Sequence, residues 1–199
     1  VNRLLVSRAV RRAVSLAASL VLRGLWGGPW LMEIKALSRI EAGNTLGLFT
    51  LALIAGPVLT GILDRTIGHR REVLAATHSF AALLLAVMAA GAPHYPLADL
   101  LGVAAIPARF DAVLFVLIGI AISTQPLLYG MTRQLVDAQN AGKALSAINL
   151  AFFLGAALMQ SATGVVATIF GLPAVLLFMA ATLIVGTVAF LAFTQPSKS

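Results

Sequence analysis

The chain has 199 residues, of which 60% are hydrophobic and only 11% charged, and it contains no cysteine. A soluble domain of this length needs a charged shell, whereas here the charges stand in short clusters between long uncharged runs, so a soluble fold is excluded. The net charge of +7 comes without a basic face interleaved with aromatics, which argues against a nucleic-acid partner, and the missing thiols exclude disulfides, a thiolate nucleophile and a cysteine metal site.

The basic segment 1–12 comes first, with Arg3, Arg8, Arg11 and Arg12. It has the charged start of a signal peptide, but the apolar run behind it is too long and lacks a small-residue cleavage pattern, so it reads as a cytoplasmic lead into a span. Val1 stands where a Met would open a chain, which fits a fragment, a processed product or a noncanonical start.

The first window of membrane length covers residues 13–32. Within it Ser15, Ser19, Arg23, Trp26, Gly27 and Trp30 recur in steps of three and four, which predicts one stripe along a helix. Arg23 lies about ten residues in, near the bilayer midplane, where an ionised side chain costs at least ~2.5 kcal/mol. None of the membrane-length windows contains Asp or Glu, and Glu33 is roughly 15 Å away along the helix. The expected counter-charge is therefore a substrate anion, an acid on another segment, or water and carbonyls in a cavity. Two kinds of role compete for Arg23: an anchor for an anion or carboxylate, and a structural one, either an ion pair with an acid outside this chain or snorkelling to one surface. Trp26 joins it as a substrate-binding candidate, while Trp30, at the span end, reads as an interfacial anchor. Gly24 and Gly28 form a small-xxx-small pair that signals close helix approach.

The second window, residues 45–63, begins beside a similar pair, Gly43 and Gly47. The third, residues 73–92, holds His78, which reads as a side chain hydrogen-bonded to a neighbour rather than a proton relay. The connection 93–111 includes an apolar piece, 97–106, bounded by prolines and too short to cross, which predicts an interfacial or bundle-capping segment. In the fourth window, 112–131, Ser123, Thr124, Gln125 and Tyr129 surround Pro126, whose missing N–H predicts a kink beside a cavity or polar neighbour. Gln125 and Tyr129, four apart, are the candidates there. The fifth window, 145–170, carries a second stripe through Ser146, Asn149, Phe153, Ala156, Gln160 and Thr163. Asn149 and Gln160 are its candidates, facing either a cavity or a neighbouring helix. The sixth window is 172–193, and 195–199 form a short tail.

Continuous apolar runs of about twenty residues suit helices, because barrel strands would alternate over about ten. The expected fold is an all-α integral membrane bundle of six transmembrane helices, one membrane domain over 13–194. Lys and Arg then set its orientation. Ten lie on one side: Arg3, Arg8, Arg11, Arg12, Arg65, Arg70, Arg71, Arg133, Lys143 and Lys198; Lys35, Arg39 and Arg109 lie on the other. The rich side is cytoplasmic, which puts both termini there and the protein in the cell membrane as a multi-pass chain.

The loop Gly61, Ile62, Leu63, Asp64, Arg65, Thr66, Ile67, Gly68, His69, Arg70, Arg71 resembles the acidic-basic-glycine loop of the major facilitator superfamily, which recurs between the second and third helices of each six-helix half. The family spaces the Asp four residues after the first Gly and the next Gly three further on; here the intervals are three and four, a departure that favours the second-half copy. The segment Gly24, Leu25, Trp26, Gly27, Gly28, Pro29, Trp30, Leu31 is similar to the seventh helix of bacterial members. The resemblance implies the C-terminal half of a twelve-helix secondary transporter working by alternating access around a midplane site. It also implies a small-molecule substrate, a facing six-helix N-terminal half or a second copy as partner, and conformational roles for Gly61, Asp64, Arg65, Gly68 and Arg70. The first, second, fourth and fifth spans would border the cavity. No cofactor is expected. An intramembrane serine protease is rejected, because Ser161, Ala162, Thr163, Gly164 and His78 lack the required glycine pattern, so the chain reads as no enzyme. The alternative is a self-assembling six-helix channel or a non-transporting membrane scaffold.

Overall fold

Ser38 caps a helix of 29 residues. Its side chain accepts from the Glu41 N–H at 3.3 Å, while the Glu41 carboxylate takes the Ser38 N–H at 2.9 Å and the Ser38 O–H at 2.6 Å. This capping box satisfies donors that a helix start would otherwise leave bare. The computed structural model describes residues 22–124, 127, 129, 130 and 136–193, apart from the side chains of Arg23 and Phe193. Helices joined by turns and short irregular links make it up, with no strand among the described residues.

Helix α1 runs from Leu22 to Ile34 as a π turn (Leu22–Trp26), a single α turn (Gly27–Pro29) and a second π turn (Trp30–Ile34). Pro29 has no N–H to donate one turn back, and the wide π turns lie on either side of that gap. After the Ser38 cap, α2 spans Arg39–Ile67 and ends at Gly68, whose φ of 71° only glycine adopts freely. Then come α3 (Arg70–Ala90), the short α4 (Pro96–Leu100), α5 (Ala108–Ile122), α6 (Ala141–Phe170) and α7 (Leu172–Phe193).

Four helices are long and apolar enough to cross a membrane: Arg39–Ile67, Arg70–Ala90, Ala138–Phe170 and Leu172–Ala192. They carry the second, third, fifth and sixth windows. The first window and the fourth fall partly outside the described residues. Boundaries shift where a cap decides them: α2 begins six residues before residue 45, at the capping box, and α5 begins at Ala108, behind Pro107, so Asp111 is helical rather than part of a loop. The 97–106 piece divides into α4 and a turn that folds back, its Ile106 N–H reaching the Gly91 carbonyl at 3.0 Å.

Helix α3 packs along α7 and α2 along α5, α3 and α5 join the two pairs, and α6 lies against α7. The main core gathers Trp30, Phe49, Phe115, Leu85, Met88, Met179 and Leu183, with Phe49 and Phe115 edge-on at 5.6 Å. A second cluster, Val73, Leu74, Leu127, Ile148 and Phe190, sits toward the other end of the bundle. Helices α2 and α6 are the least covered of the four. Their bare faces are apolar, with Ile54 and Val58 on α2 and Leu150, Phe153 and Leu158 on α6, a surface that suits lipid or another helix layer and not water.

Close approach uses different glycines from the small-xxx-small pairs. A side chain at Gly24, Gly43 or Gly47 would meet nothing within 4 Å, and one at Gly28 only Met32 of its own helix. Gly56 and Gly119 are among the contact points, with Gly27 and Gly91: a Cβ at Gly56 would lie 2.3 Å from the Ser123 Cβ, and one at Gly119 would lie 2.9 Å from Phe49 and Ala52.

Candidate functional site

The stripe predicted on the fifth window is a line along α6 where α1 and the fourth window meet it. Trp26 Nε1–H donates to Thr163 Oγ1 at 2.8 Å, and Thr163, fully buried, donates its own proton to the Met159 carbonyl at 2.6 Å. About 21 Å along α6, the Tyr129 O–H donates to Asn149 Oδ1. Gln160 lies between them, exposed, one turn before Thr163. Fourteen residues bring Asn149 back to nearly the same side of a 3.6-residue helix as Thr163, so Trp26 of α1 and Tyr129 of the fourth window meet one side of α6. Four of the six substrate-binding candidates therefore share that line: Trp26, Tyr129, Asn149 and Gln160. The backbone of Arg23 precedes Trp26 by one turn on α1, while its side chain, and Gln125 altogether, lie outside the described residues. Carboxamides and a phenol on this line offer paired donors and acceptors without a fixed charge.

A second polar group was invisible in the sequence. Lys35 Nζ lies 3.1 Å from Asp111 Oδ2, with both side chains 1% exposed. The same oxygen accepts from Trp30 Nε1–H at 2.9 Å, and Lys35 also donates to the Gly91 carbonyl at 3.2 Å and the Ile106 carbonyl at 2.9 Å. Trp30 is thus buried inside the bundle, not anchored at the lipid interface as its position near a span end suggested. This knot ties the end of α1, the close of α3, the turn after α4 and the start of α5. By sequence Lys35 and Asp111 fall in connections, where charges are ordinarily solvated. Asp111 Oδ1 is buried with no hydrogen-bond partner, so the pair is not fully satisfied.

At the other end of the bundle lies the glycine-containing loop. Asp64 accepts from Arg70 Nε through both carboxylate oxygens, at 2.8 and 3.1 Å, and its backbone carbonyl takes the Gly68 N–H at 2.8 Å. Arg70 also approaches the fourth window, its Nη1 lying 3.9 Å from where a Gly130 Cβ would stand. Arg71 Nη2 donates to the Leu191 carbonyl at 2.9 Å and so holds the loop to the end of α7. Asp64, Gly68 and Arg70 are brought together, whereas Arg65 points to the exposed side and Gly61 is a helical residue with open space beside it.

A match to the family model of the Major Facilitator Superfamily covers residues 11–199. The chain belongs to the major facilitator superfamily. Neither a curated relative nor a solved structure matches it. Members of this superfamily are transporters, not enzymes, and the apolar helices α2, α3, α6 and α7 agree with a multi-pass membrane protein. Among the described residues no group of His, Cys, Asp and Glu is placed to hold a metal ion. His78, buried, has its Nδ1 2.8 Å from the Leu74 carbonyl, a local bond within α3.

Proposed function

We propose that this chain is one six-helix half of a secondary transporter that moves a small, anionic solute across the cell membrane by alternating access. Its partner is a facing six-helix half or a second copy of the chain. The observation that carries the reading is the position of α6: it is one of the two least covered helices, and its side shared with Trp26 and Tyr129 also presents Asn149 and the exposed Gln160. A half-site built this way has polar groups for one side of a solute and leaves the other side to a partner. Arg23, at midplane depth on the helix that carries Trp26, supplies the positive charge, and an arginine fork holds a carboxylate by two hydrogen bonds where lysine offers a point charge.

Tryptophan fluorescence tests this directly, because Trp26 and Trp30 are the chain's two tryptophans. In liposomes holding the assembled transporter, a panel of mono- and dicarboxylates and inorganic phosphate should include one that changes the emission saturably. Trp26→Phe should abolish the change, Arg23→Lys should weaken binding partly and Arg23→Gln more severely. Normal binding by both Arg23 variants, with loss of protein from the membrane, would make Arg23 a structural ion-pair member instead. Saturable uptake by the monomeric chain alone would overturn the half-transporter reading. For orientation, single cysteines at Thr66 and Leu100 separate the two sides: an impermeant reagent on intact cells should label Leu100→Cys and spare Thr66→Cys.

A further inference from the structure

A break in a helix's hydrogen-bond ladder leaves carbonyls without donors, and here two interrupted ladders supply each other's. Pro57 inside α2 has no N–H for the Leu53 carbonyl one turn back. Helix α5 stops at Ile122, after which the Ser123 N–H turns to the Ile120 carbonyl at 3.2 Å and no longer serves Gly119. The Leu127 N–H bonds the Thr124 carbonyl at 3.0 Å, so the Ser123 carbonyl also loses its helical donor. Two hydroxyls fill these gaps. Ser123 Oγ lies 2.6 Å from the Gly119 carbonyl and 3.3 Å from that of Leu53, and Thr60 Oγ1 lies 3.1 Å from the Ser123 carbonyl and 3.2 Å from that of Pro57. Each hydroxyl has one proton, which it shares between a carbonyl of its own helix and one at the break in the other, Ser123 leaning to Gly119 at 2.6 Å and Thr60 dividing almost evenly. Gly56 allows the approach, since any side chain there would overlap Ser123. One group is left over: Thr124 Oγ1 is fully buried and has no hydrogen-bond partner.

We propose that this junction is a two-position hinge that couples the bend of α2 to the bend of the fourth span. Ser123 and Thr60 are its positioning residues, and the Thr124 hydroxyl is the group that changes partner. In the position described here, the cross-helix bonds are made and the Thr124 hydroxyl is unpaired. In the other, Ser123 and Thr124 join the helix: the Ser123 N–H returns to the Gly119 carbonyl, Thr124 Oγ1 reaches the Ile120 carbonyl four residues back, and the Thr60 and Ser123 hydroxyls give up their partners on the facing helix. Each position leaves a different buried group short of a partner, so the two lie close in free energy, as a bistable element requires. The inference rests on the transporter reading for its purpose alone, since a half that alternates between two access states needs its cavity-lining spans to bend together.

The cysteine-free chain in nanodiscs allows the test without substrate or partner. Spin labels at Val113→Cys and Gly130→Cys bracket the break, and dipolar spectroscopy should resolve two distances. Thr60→Ser, which keeps the hydroxyl, should leave their ratio as in the parent. Thr60→Val, which keeps the shape and loses the hydroxyl, should shift the ratio toward the longer distance by at least about threefold, the size expected for one hydrogen bond. Thr124→Val removes the unpaired group and should shift it the opposite way, so it decides the matter should Thr60→Val fail to fold. A single distance in the parent, or equal behaviour of Thr60→Ser and Thr60→Val, would overturn the hinge. Because the readout needs no transport, the hinge and the transporter reading fail independently.

Discussion

At the knot end of the bundle Lys35 and Asp111 meet at 3.1 Å with both side chains 1% exposed, while at the loop end Arg70 and Asp64 meet at 2.8 Å with side chains 38% and 10% exposed. The shorter pair is the weaker constraint. Taking two charges out of water costs several kcal/mol per ion, so a buried pair adds little net stability, yet removing one partner leaves the other charge stranded. The exposed pair is screened by solvent and contributes about 0–1 kcal/mol. The knot therefore fixes one arrangement of four chain segments, whereas the Arg70–Asp64 pair can be broken at small cost.

The largest effect should come from splitting the knot. Asp111→Leu or Lys35→Met alone should destabilise the bundle by about 3–5 kcal/mol, read as a lower denaturant midpoint in mixed detergent micelles. The double variant should fall less than either single change, because no charge is left stranded. Recovery should be partial, since Trp30 Nε1–H and the Ile106 carbonyl still lose their partner, while the Gly91 carbonyl keeps the Ile106 N–H. If the double variant loses the sum of the two single losses, the pair is not coupled and the knot is two separate contacts.

Next in size is the packing around Gly91, whose carbonyl Lys35 grips. A Cβ there would lie 2.8 Å from Ile106 Cγ1 and 3.1 Å from Ile106 Cβ, so Gly91→Ala should cost about 1–3 kcal/mol through overpacking. Gly61 at the loop end has open space beside it, and Gly61→Ala should instead gain up to about 1 kcal/mol of helix propensity. Opposite signs in the same melting assay would confirm that one end is packed tight and the other is not. Gly68 is the exception at the loop end: at φ 71° its replacement by Ala should cost about 1–2 kcal/mol, with Asn tolerated better than Ala.

The two ends also differ in how far they could be read from the sequence. The loop was legible because its residues are neighbours in the chain: Gly68 must turn α2, and Asp64 and Arg70 sit six apart across that turn. The fifth-window stripe was legible because an α-helix has a fixed period, which puts Asn149, Gln160 and Thr163 toward one side, whereas most of the first-window stripe lies outside the described residues or on π turns. Nothing local marks the knot. Lys35, Gly91 and the Ile106–Asp111 stretch are far apart in the chain, and charges beside a span are ordinarily solvated, so hydropathy gives Lys35 and Asp111 no special weight. The same blindness covered the hinge. Pro57 and Pro126 are each readable as breakers, but only packing shows that Thr60 and Ser123 exchange donors between the two breaks.

The smallest stability effect should carry the sharpest functional one. Arg70→Gln removes the pair with Asp64 and should cost only about 0.2–1 kcal/mol, and raising the salt from about 0.1 to about 1 M should erase most of the difference, because the screening length falls from about 10 Å to about 3 Å. Asp64→Asn should behave alike, and the double variant should add little, as expected of partners. Yet Arg70 also stands beside Gly130 at the end of the fourth window, so losing the latch should bias how often that end moves away from α2. Labelling of Gly130→Cys by a soluble maleimide should therefore speed up in Arg70→Gln and Asp64→Asn while the denaturant midpoint barely moves. Slower or unchanged labelling would mean that the loop only decorates the bundle, and that holding the chain in one shape falls to the dry knot alone.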